Sequence, residues 1–325
     1  MVSKTVKFKS RPPVLTNDED KTTMLLEDFF KIHDSFINFK VLEGLTPRTL
    51  EDHKYFMKFF KDYVVSSCWS MEDQQVEINI FRGYIADMIT VKEYAPCTIN
   101  LRIRPLKCYL KWLYDEGYIS INYSNKIKLV RVPQDTIQPL SDKNVKKLLK
   151  QPNKETYAGY RDFVLMLLIL DCGIRIGEAL QLKINDIDYK LGLVNIQSEV
   201  SKTRTFRQIP ISNKVAKLLE DLRTISIDNN SEYLFLSTYG GPIKPDNIAY
   251  NFRKYGRDAK IDAKCTPYVL RHTFATNAVK ENMDIFTLQR IMGHSALETT
   301  RKYIQLNNKD LKNNHNQKDF ISKYL

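Results

Sequence analysis

No two cysteines in this chain of 325 residues stand at Cys-x-x-Cys spacing; the five, Cys68, Cys97, Cys108, Cys172 and Cys265, lie far apart. That pattern suggests neither a zinc site nor a disulfide framework and implies reduced, mostly buried thiols. A long apolar run is also missing. The longest, Phe163 to Leu170, falls well short of the roughly 20 residues a membrane-crossing helix needs. The opening MVSKTVKFKSRPP lacks the apolar stretch of a secretory signal, so a cytoplasmic location with no membrane partner is expected. There is no Walker-type phosphate loop and no carboxylate cluster suited to two metal ions. Nucleotide-driven and two-metal nuclease chemistry therefore lack sequence support, and no metal or other cofactor is expected.

What the chain does have is an ordinary soluble composition, 43% hydrophobic and 27% charged, and enough length for two domains with proper cores. The formal net charge is +12 and the sequence pI about 9.2. Such a balance raises the odds of a polyanionic partner, although a lysine-rich surface serving solubility would give the same total. Its distribution says more. Residues 1–135 hold 20 Lys and Arg against 18 Asp and Glu, whereas residues 136–325 hold 30 against 20. The second part carries most of the excess.

Residues 1–20 show no apolar periodicity and read as a flexible tail. From there to residue 126 the apolar spacing predicts four helices. Met24, Leu25, Phe29, Ile32 and Phe36 mark the first. Thr46 and Pro47 open the second, a capping residue followed by Pro at the first helical position. The third spans about Glu77 to Ile89, and the fourth starts at Ala95 and Pro96. Along that fourth helix Arg104, Lys107 and Lys111 recur at spacings of three and four, which gathers them on a face opposite the apolar one. Such a face suits the phosphates of a DNA groove, and equally a merely solvated basic surface.

Residues 127–139, with two prolines and no helical period, read as a linker. Beyond it Ser141 caps a helix, and Tyr157 to Asp171 is apolar enough to be a buried one. Leu193 to Ile196 and Phe206 to Ile211 flank EVSKTRT as the two strands of a hairpin. The fold class expected is mainly α with a small antiparallel β-sheet in the second domain. The final DFISKYL places Phe320, Ile321, Tyr324 and Leu325 on one helical face, which requires a cover.

Two stretches carry candidate chemistry. CGIRIGEALQL puts Arg175 just after a glycine turn, with Glu178 three residues on to orient it. A surface ion pair is the plainer reading of that pair taken alone. TPYVLRHTFATNAVKENMDIFTLQRIMGHSALETTRKYIQL delivers Arg271, His294 and Tyr303 on three different local elements. A core helix would not scatter such groups over three ends.

In this order the two stretches resemble the signatures of the tyrosine recombinases, the phage integrase family. The family pattern is roughly TGLRxxELLxL, then HxLRHTFAT, then LGHxxxxTTxxY. The resemblance makes Arg175 and Arg271 the two phosphate-holding arginines, His294 a third donor and Tyr303 the nucleophile. It makes Lys202, on the hairpin, the proton donor to the leaving group, although Arg204 and Arg207 lie near enough to blur that choice. It further implies a four-helix, SAM-like core-binding domain over residues 21–126 and a catalytic domain over 140–306. Residues 307–325 would then form a tail that docks in a neighbouring protomer, packing back onto its own domain being the alternative. The partners implied are double-stranded DNA with specific recombination sites, three further copies in a homo-tetramer, and accessory DNA-binding proteins.

The chemistry needs these residue types. Attack of a phenol on a phosphodiester builds negative charge on the phosphate oxygens, and planar guanidinium groups can grip two of them while staying charged. A tyrosine is a weak nucleophile at its ordinary pKa of about 10 and needs nearby cations and a proton acceptor. One position departs from the family: Tyr268 stands where a histidine is usual. A phenol is a poor proton acceptor at neutral pH, so His294 or water is expected to take over as base, with His272 pointing elsewhere on its helix. The expected function is integration, excision or transposition of a mobile element through a 3′-phosphotyrosine. A type IB topoisomerase-like strand transferase and a DNA-binding regulator without catalysis are the alternatives.

Overall fold

The structure, a computed structural model, describes residues 24–67, 69–132, 138–201, 205–301 and 303. The chain divides into two compact units, residues 1–134 and 135–325.

In the first unit, the apolar run from Met24 forms two short helices, α1 (Leu26–Lys31) and α2 (His33–Leu42), where one was expected. Thr46 then caps α3 (Pro47–Ser66), its hydroxyl accepting the Thr49 N–H at 3.3 Å with Pro47 at the first helical position. α4 (Ile78–Thr90), α5 (Pro96–Asp115) and the single turn α6 (Tyr123–Lys126) follow. The core is aromatic. Phe29, Phe36, Phe60, Phe81 and Tyr109 are buried, with the Phe29 and Tyr109 rings 4.9 Å apart and edge-on. Each such ring removed from water contributes about 1.5–3 kcal/mol. Tyr109 stays satisfied by donating its hydroxyl to the Phe29 carbonyl at 2.5 Å. Asn100, buried on α5, exchanges two hydrogen bonds of 2.8 Å with the Val130 backbone. The start of the segment expected as linker, Ile127 to Val130, is thereby held against this unit.

The second unit begins with α7 (Asp142–Leu149), capped by Ser141, and α8 (Tyr157–Cys172), capped by Thr156, with nine of its sixteen residues buried and none exposed. Gly173 ends α8 at φ +64°, and a Cβ there would meet the Phe274 ring at 2.3 Å. The position therefore needs glycine twice over, for its left-handed backbone and for the close approach. The one-turn α9 (Ile176–Ala179) leads to a three-stranded antiparallel sheet of β1 (Ile187–Asp188), β2 (Leu193–Ile196) and β3 (Arg207–Pro210) in that order. Val194 pairs with Ile209 and Ile196 with Arg207, so the expected hairpin is present.

Helices α10 (Asn213–Asp228), α11 (Pro245–Asp258), α12 (Pro267–Lys280), α13 (Ile285–Met292) and α14 (Leu297–Arg301) complete the unit. A buried ion pair fixes two of the helices. Asp162 of α8 accepts from Arg161 at 2.7 Å and also from Asn251 and Tyr255 of α11, at 2.9 and 3.1 Å. No helix among the described residues is long and apolar enough to cross a membrane.

Candidate active site

Three helix termini meet in the second unit. The left-handed Gly173 at the end of α8 turns the chain so that Arg175 becomes the N-cap of α9. Thr266 caps α12, accepting the Val269 N–H, and puts Arg271 in the second turn of that helix. Asp284 caps α13, which ends at Gly293 in left-handed geometry and presents His294. Between α12 and α13 the chain turns at Asn282, which has φ +60°.

The carbonyls at the C-terminus of α13 have no partner within the helix, and cations are favoured at that end. Three successive carbonyls each accept from a different arginine. Arg207 Nε donates to Ile291 at 3.3 Å, Arg271 Nη2 to Met292 at 2.8 Å and Arg175 Nη2 to Gly293 at 2.6 Å. Arg271 also donates through Nη1 to the carbonyl of Gly173. The two arginines singled out from the sequence thus converge on one turn. Arg271 is buried, and burial together with the neighbouring Arg175 pulls its guanidinium down to about 10, which leaves it protonated at neutral pH.

Glu178 does more than orient Arg175. Its carboxylate accepts from Arg175 Nη1 at 3.0 Å and from Arg207 Nη1 and Nη2 at 3.1 and 2.6 Å. It also accepts the Arg175 backbone N–H at 3.2 Å. Burial pushes this carboxyl up, but the hydrogen bonds and charge of Arg207 and Arg175 outweigh it and hold it below its ordinary value. His294 completes the cluster, with Nε2 3.0 Å from Arg271 Nη2 and Nδ1 2.8 Å from the hydroxyl of the buried Thr300.

Tyr303 is half-buried beside this cluster. Its ring stacks with that of His294 at 6.4 Å between centroids and 9° between planes. Burial raises its pKa, as does Tyr268, while Arg271 and Arg175 pull it back. The phenol is therefore poised near two cations without being ionised at rest. Tyr268 is 58% exposed. His272, expected to point elsewhere, is corrected by the structure: its ring lies 5.1 Å from that of Tyr303. The chain after α14 thus returns beside α12, bringing the Tyr303 ring next to the residue that follows Arg271. Lys202 and the tail 307–325 lie outside the described residues.

The basic face on α5 is divided. Arg104 and Lys111 are exposed, and Lys111 pairs with Asp115 at 2.5 Å. Lys107 is half-buried and donates to the carbonyls of Ser124 and Ile127, so it fastens the turn after α6.

Two contributors to the cluster escaped the sequence reading. Arg207 was noted only as a rival to Lys202. Strand alternation held the clue, since it shares the inward parity of Ile209 on β3. Thr300 gave no signal beyond lying in the motif that ends at Tyr303.

With this geometry in place, comparison with known proteins is decisive. Residues 138–310 match the phage integrase family. The chain belongs to that family, the tyrosine recombinases. Tyrosine recombinase XerC of Thermodesulfovibrio yellowstonii is 26% identical over 288 residues, covering 85% of this chain and 92% of the relative. The XerC of Myxococcus xanthus is 26% identical over 279 residues, covering 81% and 89%. Among solved structures, the Tn1549 transposon integrase in complex with transposon right end DNA superimposes with a TM-score of 0.72 at 18% identity, over 90% of this chain and 99% of that one. A lambda integrase dimer bound to a COC′ core site gives 0.67 at 16% identity, over 86% and 77%. These likenesses establish the integrase fold, and as a tyrosine recombinase the chain is a site-specific DNA recombinase.

Proposed function

We propose that the chain cuts and rejoins double-stranded DNA at a specific site through Tyr303. The Tyr303 Oη attacks the scissile phosphorus and the bond to the 5′ oxygen breaks. The phenolic proton leaves to a base, and the departing 5′ oxygen takes a proton from Lys202. The products are a 3′-phosphotyrosine and a free 5′-hydroxyl, and attack by a 5′-hydroxyl of another duplex reverses the step. Because the ester keeps the energy of the original bond, no nucleotide is consumed. The observation that carries this reading is the convergence of Arg175 and Arg271 on adjacent carbonyls, Gly293 and Met292, beside His294 and Tyr303. Phosphate oxygens would replace those carbonyls as acceptors for the same donors.

On α5 of the first unit, Arg104 and Lys111 would contact DNA phosphates, Lys111 exchanging Asp115 for them. The assembly proposed is a homo-tetramer on DNA in which C-terminal segments are exchanged between protomers, with accessory DNA-binding proteins assisting.

The biological setting proposed is a mobile element. Tyr268, where the family usually has histidine, favours it, because chromosome-dimer resolvases usually keep that histidine. The XerC relatives favour a second reading, resolution of chromosome dimers. Incubating the protein with nicked duplexes carrying candidate element ends or candidate chromosomal sites tests both. A covalent adduct on one set, lost in Tyr303→Phe, assigns the reaction and its setting. An adduct that persists in Tyr303→Phe removes Tyr303 from its role, and no adduct on any site favours a DNA-binding regulator.

A further inference from the structure

Arg207 carries a charge into a place where charges are costly. It opens β3, points inward with Ile209, and is only 8% exposed. A guanidinium so placed must be fully partnered. Its Nη1 and Nη2 hold both oxygens of Glu178, at 3.1 and 2.6 Å, and its Nε reaches the carbonyl of Ile291 at 3.3 Å. It also lies directly under Gly293, where a Cβ would sit 2.8 Å from its Cζ. One side chain therefore joins three elements: the hairpin strand that follows Lys202, the helix start that carries Arg175, and the turn that carries His294.

The carboxylate it grips is shared. Glu178 Oε1 accepts from Arg207 and from Arg175 at nearly equal distances, 3.1 and 3.0 Å. The two arginines differ in access, with the Arg175 side chain 24% exposed and that of Arg207 only 7%. Were Arg207 missing, the single charge of Glu178 would fall on Arg175 alone and cancel it as an ordinary ion pair. With Arg207 in place the carboxylate is already compensated, and Arg175 keeps its positive field for a phosphate.

We propose that Arg207 is a positioning residue for strand cleavage: it saturates Glu178 so that Arg175 stays both fixed in place and electrostatically free for the scissile phosphate. This rests on the recombinase reading above. Arg207 does not touch the phosphate, so its loss acts on the rate of cleavage rather than on DNA binding.

The test uses the full chain on a nicked site that traps the phosphotyrosine, under single-turnover conditions with saturating DNA. Parent protein that forms no adduct defeats the recombinase reading and not this one. Given a working parent, Arg207→Ala should slow adduct formation about a hundredfold while the Kd for site DNA stays within about threefold. Arg207→Lys, which keeps the charge but loses the two-pronged grip, should fall between the two. The deciding variant is Arg207→Ala combined with Glu178→Gln. Removing the unbalanced carboxylate charge should restore the rate at least about tenfold over Arg207→Ala alone. A merely structural arginine predicts no such recovery. A double variant as slow as the single one, or an Arg207→Lys protein that cleaves at the parental rate, overturns the proposal. If Arg207→Ala fails to fold, the Lys variant decides it, by cleaving more slowly than the parent at unchanged DNA affinity or by cleaving at the parental rate.

Discussion

The Nε2 atom of His294 lies 3.0 Å from Nη2 of Arg271. A guanidinium has only donors, so the imidazole nitrogen must accept. His294 is then neutral, with its proton on Nδ1, and donates it to the Thr300 hydroxyl 2.8 Å away. Without DNA the histidine is thus held in the tautomer that accepts from Arg271. Thr300 sets that tautomer from a fully buried position.

Thr300→Val keeps the shape and removes the acceptor. Adduct formation should fall about tenfold, the usual scale for losing a residue that orients another, with DNA affinity unchanged. Nitrogen chemical shifts of His294 should show the Nδ1–H form in the parent and a mixture in the variant. A parent spectrum dominated by the other tautomer would contradict the arrangement.

Arg271 makes its contacts with two separate nitrogens: Nη1 to Gly173, and Nη2 to both Met292 and His294. A lysine offers one point charge and cannot span them. Arg271→Lys should therefore behave as the loss of a transition-state donor, slowing cleavage about a hundredfold to a thousandfold. Electrophoretic binding to the same duplex should change far less. Equal losses in binding and rate would show instead that Arg271 holds DNA in the ground state.

The phenol of Tyr303 is held above its ordinary pKa by burial and by Tyr268, against the pull of Arg271 and Arg175. Only a small fraction is ionised at neutral pH, so cleavage should speed up as pH rises from about 6 to 9. A profile that is flat over this range would mean that proton removal from Tyr303 does not limit the step.

Local chemistry made much of this legible in the sequence. Thr46 with Pro47, Ser141, and Gly173 and Gly293 beyond their helices each satisfy a terminus within a few residues, so the helix ends could be read directly. Arg175 and Arg271 were readable as motif members. Their meeting point was not, because it depends on three carbonyls at the end of α13 that lack a partner within the helix, which no periodicity marks. Arg207 was hidden for a related reason: its role comes from the partner Glu178 across the sheet edge. Lys107 showed the limit of helical spacing. It shares a face with Arg104 and Lys111, yet its long stem folds over to the carbonyls of Ser124 and Ile127. His272 was not legible as a neighbour of Tyr303, because direction along α12 alone does not say where the chain returns after α14.

A last expectation concerns acid stability of the first unit. His33 is buried against Tyr109, the rings edge-on at 5.0 Å, and His53 is buried against Phe36. Burial, then the nearby His53 and Lys54, lower the His33 pKa to about 4 against the opposing charge of Asp34. His53 is lowered too, by burial and Lys40, with Asp52 opposing. Between pH 6.5 and about 4 the unfolded chain takes up a proton at His33 that the folded chain refuses, so stability falls as the pH drops through that window. The loss from His33 alone amounts to roughly 3 kcal/mol by pH 4. Both tryptophans of the chain, Trp69 and Trp112, lie in this unit, so fluorescence in the intact protein reports on it alone. Denaturant midpoints followed by tryptophan emission should decline steadily from pH 7 to pH 4 in the parent and markedly less in His33→Phe. Equal slopes in the two proteins would place the acid sensitivity elsewhere.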